Sequence, residues 1–168
     1  MKKLIPTIGP DSADALARLG ADSDYPNSGG GRGGERKIMS QRLNEAYTWV
    51  RQNLFPEWDR DGVWEIKEGY GPVYHTQPSW ELYEGEYDLD NQRIYIAPVC
   101  LQKKSTNEIY STITHEIAHA TSSGSHLEEG GWPQEMEEAA SRSRDLGLIE
   151  LAELIEQDKD DIAKLEEE

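Results

Sequence analysis

The amino-acid sequence predicts an α+β domain, with a small mixed or antiparallel sheet set among helices. Apolar residues recur at three- and four-residue spacing over 37–54 and again over 106–122. Short aromatic and β-branched segments bounded by glycine and proline lie between those stretches, and helical periodicity returns after Pro133. At 168 residues the chain is long enough for one core of ordinary size and short for two.

Residues 1–36 are rich in Gly, Pro, Asp and Ser, and only Ala13 to Leu19 could form a short helix. The run Asn27-Ser28-Gly29-Gly30-Gly31-Arg32-Gly33-Gly34 reads as a flexible linker that cannot repay its ordering entropy by burial. It is not a phosphate-binding loop, because no strand precedes it and no Gly-Lys-Ser/Thr follows. From Lys37 onward Ile38, Met39, Leu43, Ala46, Tyr47, Val50 and Leu54 describe one face of a helix, which Pro56 ends.

Val63–Lys67 and Trp80–Tyr87 read as strands, separated by Gly69, Gly71, Pro72 and Pro78. Leu89-Asp90-Asn91-Gln92 supplies turn chemistry before a further strand at Arg93–Ala97, which makes a hairpin. Ser105-Thr106-Asn107-Glu108 is a capping box, and Ile109, Ile113 and Ile117 follow on one face, so a helix runs from about 106 to 122 and stops at Gly124. A helix from Pro133 to about Leu146 and another from Leu148 close the chain. The expected organisation is a flexible segment over 1–36, a folded domain over 37–157 and an acidic tail over 158–168.

A net charge of -16 repels a phosphate backbone, so direct nucleic-acid binding is not expected; the charge suits solubility or basic partners. No apolar run approaches the ~20 residues that cross a bilayer, so no membrane association is expected. No apolar stretch follows Lys2 and Lys3, and the expected compartment is the cytoplasm. The single cysteine, Cys100, can form neither an internal disulfide nor a Cys-x-x-Cys metal ribbon, and reads as a small buried apolar residue.

The chemistry concentrates in Thr114-His115-Glu116-Ile117-Ala118-His119. On a helix, His115 and His119 lie four residues apart on one face, where both imidazoles reach one metal ion. Ile113 and Ile117 point to the opposite side, so the helix can bury its isoleucines while turning its histidines toward a cleft. Glu116 projects beside His115, placed to take a proton from an activated water without being a ligand.

Catalytic zinc takes three protein ligands and keeps one position open. Three of the four histidines fall between 115 and 126, which makes His126 the preferred third ligand, while His75 reads as a loop residue. Carboxylates on the following helix, Glu135, Glu137 and above all Glu138, compete for that place. The site so read is that of a zinc-dependent metallopeptidase with one Zn2+ per chain, Glu116 as general base, and a protein or peptide substrate. The contrasting expectation is a non-catalytic protein that keeps this architecture and binds partners through its acidic surface. The strand Arg93–Ala97 is the expected edge on which an extended peptide could pair.

Over residues 37–147 the chain resembles the SprT-like zincins. The matching features are Arg93-Ile94-Tyr95-Ile96-Ala97-Pro98, His115-Glu116-Ile117-Ala118-His119-Ala120, His126, and Trp132 followed by Met136. The resemblance implies a zincin-like fold, zinc held by His115, His119 and His126, and Glu116 as the base in peptide hydrolysis. The short spacer before His126 departs from the family pattern, as does Leu127-Glu128-Glu129-Gly130-Gly131 where an immediate glycine is usual. The zinc ribbon and basic DNA-binding surface of some members are absent. Glu137-Glu138-Ala139 is similar to the glutamate helix of the ImmA/IrrE-like metallopeptidases, the rival resemblance. Small acidic zincins of this kind are similar to proteins encoded by phages, which would act in the host cytoplasm.

Overall fold

The computed structural model describes residues 31–72, 84–122, 126 and 131–167, with side chains from residue 41 onward except 166. The first described helix, α1 (Gly31–Leu54), is already formed within the glycine run and not only from Lys37. The extension from Lys37 back to Gly31 adds more than one and a half turns and includes Gly31, Gly33 and Gly34, each costing about 1 kcal/mol relative to alanine, which the packing of the rest of the helix offsets. Leu43, Ala46, Tyr47, Val50 and Leu54 are buried, as their spacing predicts. The helix ends just before Pro56, and its last carbonyl, on Leu54, accepts from the Arg142 guanidinium.

After α1 the chain turns at Asp59, whose φ of 49° is left-handed. The Asp59 carboxylate accepts from the backbone N–H of Val63 and Trp64 at 2.8 and 3.1 Å, which ties the loop to the start of β1 (Glu65–Glu68). Strands β2 (Gly85–Asp88) and β3 (Arg93–Ile96) form the expected hairpin. Asp88 holds its turn by accepting from the backbone and side-chain amides of Asn91. The expected strand over 80–87 is seen from Gly85; residues 80–83, the short helix at 13–19 and His75 lie outside the described residues.

The sheet order is β1-β3-β2, with β1 parallel and β2 antiparallel to β3. This corrects the edge assignment. Arg93–Ile96 is the central strand, hydrogen-bonded on both sides, so it cannot accept a further strand, and β2 is the edge on the hairpin side among the described residues.

A short helix, α2 (Pro98–Lys103), leads into α3 (Thr106–Ser122). The capping box forms as read: Ser105 Oγ accepts from Glu108 N–H, and the Glu108 carboxylate accepts from Ser105 N–H. Helix α3 touches α1, β2, β3 and the two helices that follow, and its Ile109, Ile113 and Ile117 are buried in the core. Each isoleucine so buried contributes about 1.5–3 kcal/mol of transfer free energy.

Helices α4 (Trp132–Asp145) and α5 (Ile149–Glu167) pack on α3 and on each other. They are joined at Gly147, whose φ of 80° suits a residue without Cβ. There Leu148 N–H bonds Ser143 O and Gly147 N–H bonds Arg144 O, ending α4 in a Schellman motif. Leu151, Ala152 and Ile155 of α5 meet Met136, Ala139 and Ala140 of α4 in the core. Helix α5 runs unbroken to Glu167, so the boundary drawn at 158 falls inside it. No described helix is long and apolar enough to cross a membrane.

Candidate metal centre

His115 and His119 project from the side of α3 away from Ile113 and Ile117, as the helical phase requires, His119 buried and His115 partly so, and His126 reaches the same point from beyond the helix end. The three side chains meet through their Nε2 atoms. The distances are 3.2 Å between His115 and His119, 2.8 Å between His119 and His126, and 3.4 Å between His115 and His126. A neutral imidazole carries one N–H, so three ring nitrogens this close press lone pairs together unless they share a proton or a cation. A tetrahedral zinc with ~2.0–2.1 Å bonds holds neighbouring nitrogens roughly 3.3 Å apart, which matches two of the distances and lies half an ångström above the third. The residues therefore fit the ion that their spacing predicts.

Glu138 is elsewhere. It is half-exposed and pairs with Arg142 of its own helix at 3.8 Å. Glu137 bonds Lys159 of α5 at 2.7 Å. Glu135 lies by Thr121 in the first turn of α4, where burial raises its pKa. Of the competing third ligands, the structure groups only His126 with the motif histidines.

Trp132, 1% exposed, forms the floor of the cluster. Its ring centroid lies 4.9, 5.5 and 4.5 Å from those of His115, His119 and His126, and its indole N–H donates to the His115 carbonyl at 3.1 Å. Tyr87 of β2 stacks on His119 at 4.8 Å with an interplanar angle of 11°. Its phenol pKa is raised by burial and then by the Glu116 charge.

Glu116 is buried at 6% exposure beside Gly85 of β2. Burial pushes its carboxyl up from 4.5 to about 7; the His115 charge opposes this, and Asp158, Glu86 and Glu84 reinforce it. A carboxyl so placed can both take and return a proton near neutrality. For His115, burial favours the neutral ring, but the hydrogen bond to Asp158 and the Glu116, Asp158 and Glu84 charges outweigh it and raise the pKa. The Asp158 carboxylate lies 2.7 Å from His115 Nδ1.

No family model, curated protein or solved structure matches this chain. What the cluster can do is set by its own geometry. A cleft of about 440 Å3 opens over it, lined by His115, Glu116 and His126 on one side and by Glu84 and Gly85 on another, with Asp158 and Ile162 of α5 completing the wall. Tyr87, Gly85 and Asp158 are site residues that the sequence reading did not single out. Of the three, only Tyr87 and Gly85 lie in a segment already read as a strand, Trp80–Tyr87.

Cys100 is buried, with Sγ 3.8 Å from Thr112 Oγ1, and burial pushes its thiol up to about 11. This fits a structural role outside the histidine cluster.

Proposed function

We propose that the chain is a zinc-dependent metallopeptidase of zincin-like fold, with His115, His119 and His126 as ligands and Glu116 as the general base and acid. The observation that carries this reading is the convergence of three imidazole Nε2 atoms within 3.4 Å of one another beside a buried glutamate at the base of an open cleft. Zinc bound there would supply Lewis-acid polarisation of a carbonyl and an activated water. The chain's own residues do the rest. Trp132 and Tyr87 fix the ring planes, and Glu116 moves a proton from the attacking water to the departing amine.

Glu116 fits proton transfer better than metal binding. It belongs to the same helix as His115 and His119 but stands apart from the three-nitrogen cluster, and its surroundings bring its pKa near the working range. An extended peptide would lie along β2, whose Gly85 and Tyr87 face Glu116 and His119. The ligand set favours the SprT-like over the ImmA/IrrE-like resemblance, because Glu138 is turned to Arg142.

Glu116→Gln tests the reading. The variant is expected to keep zinc and fold while hydrolysis of a mixed fluorogenic peptide library falls by at least ~100-fold. Wild-type protein that binds zinc but cleaves no member of the library, in line with the variant, would favour a non-catalytic binding protein.

A further inference from the structure

The second half of α5 reads in sequence as an acidic tail, yet one face of the helix lines the cleft over the candidate metal centre. Leu154, Asp158, Asp161 and Ile162 recur at helical spacing and line the cleft, whereas Glu156 and Lys159 turn away to pair with Arg144 and Glu137 of α4, each at 2.7 Å. These pairs and the buried Leu151 and Ile155 hold the rotation of α5 about its axis, and that rotation places the Asp158 carboxylate 2.7 Å from His115 Nδ1. The bond spans 43 positions of sequence and joins the last helix to the first ligand.

We propose that Asp158 is a positioning residue for zinc, an inference that rests on the zinc reading above. A carboxylate without a proton can only accept, so Nδ1 of His115 must donate. That places the ring proton on Nδ1 and leaves the Nε2 lone pair directed at His119 and His126, the tautomer a metal requires. The same contact stops the His115 ring from rotating about its Cβ–Cγ bond and increases the electron density the ring offers through Nε2. Trp132 meets that ring edge-on and bonds the His115 carbonyl, so backbone and side chain of this ligand are each held by a different helix.

Asp158 is the residue that matches this role on α5. Asp161 also lines the cleft, but its carboxylate accepts from Gln157 at 2.8 Å. The two acids therefore separate a hydrogen-bonding effect from a charge effect. Removing either takes one negative charge from the cleft wall, and only one of the two removals breaks the bond to His115.

The test is a competition titration of zinc against a chromophoric chelator for wild type, Asp158→Asn, Asp158→Ala and Asp161→Asn, with circular dichroism to verify the fold. Zinc affinity should fall about 10–100-fold in both Asp158 variants and change far less in Asp161→Asn. Asp158→Asn is nearly isosteric and keeps the comparison valid should the alanine variant fold poorly. Long-range proton–nitrogen NMR of the zinc-free chain, at a pH where the ring is neutral, should show the His115 proton on Nδ1 in wild type and a shift toward Nε2 in Asp158→Ala. Equal zinc affinity in wild type and Asp158→Asn, or an Nε2-protonated His115 in wild type, overturns the role of Asp158. An equal loss in Asp161→Asn overturns it as well, by reducing it to charge. A folded wild-type chain that takes up no zinc overturns the zinc reading itself, and with it the consequence drawn here for Asp158.

Discussion

Gly85→Ala isolates the approach of β2 to the proposed base. A Cβ built on Gly85 would stand 2.9 Å from both Cγ and Oε1 of Glu116 and 3.2 Å from Cδ. Carbon contacts settle near ~3.5–4.0 Å, so strand or carboxylate must retreat by roughly 0.6 Å or more. Gly85 is not among the left-handed residues, so its backbone accepts alanine and the perturbation is steric. Neither side yields easily. Gly85 pairs with Ile96 of the central strand, and Glu116 is 6% exposed on a helix whose opposite face is seated in the core. Overpacking of this kind costs about 1–3 kcal/mol, read as a lower melting temperature. A misplacement on the order of 1 Å can cost ~100-fold in rate, so hydrolysis of the peptide library should fall roughly 10- to 100-fold. Zinc content should stay at the wild-type level, because the three histidines are untouched. Wild-type turnover and stability in Gly85→Ala would refute the placement of Glu116 against β2.

Other consequences follow from burial and charge. In the zinc-free chain the raised Glu116 carboxyl favours the protonated form, so its contribution to stability is present below about 4.5 and lost as pH rises toward about 7. Glu116→Gln should therefore match wild type in urea melts near pH 4 and exceed it by up to roughly 3 kcal/mol near pH 8.5; an equal gap at both pH values would contradict the burial. Cys100, with its thiol near 11, should resist a thiol-specific disulfide reagent at pH 8 in the folded chain and react at once in denaturant, and fast labelling of native protein would contradict its packing. Trp132→Phe removes the bond to the His115 carbonyl while keeping an aromatic floor, so it should cost about 1–3 kcal/mol in a denaturant melt and weaken zinc binding; wild-type values for both would contradict its role.

The parts of this fold that were legible in the sequence are those written in short-range chemistry. The capping box at Ser105–Glu108 and the phase of Ile109, Ile113 and Ile117 against His115 place α3 and its polar face without any tertiary information. The Asp88–Asn91 turn likewise places the β2–β3 hairpin. What stayed hidden depends on contacts far apart along the chain. The parallel pairing of β1 with β3 makes Arg93–Ile96 central, and no local pattern tells a central strand of four residues from an edge strand. Asp158 stands within the run Gln157-Asp158-Lys159-Asp160-Asp161, and the packing of α5 on α4 decides which of those acids meets His115. The choice between His126 and Glu138 turns on how the helices pack, since the crossing of α4 over α3 leaves Glu138 outside the cluster that His126 joins.

The most direct test of the central claim is zinc content after dialysis, measured on wild type and on the alanine variants of His115, His119, His126 and Glu138. The geometry predicts about one zinc per wild-type chain, loss of zinc from all three histidine variants, and a wild-type level in Glu138→Ala. A wild-type chain that holds no zinc, or zinc that survives His126→Ala but not Glu138→Ala, would contradict it.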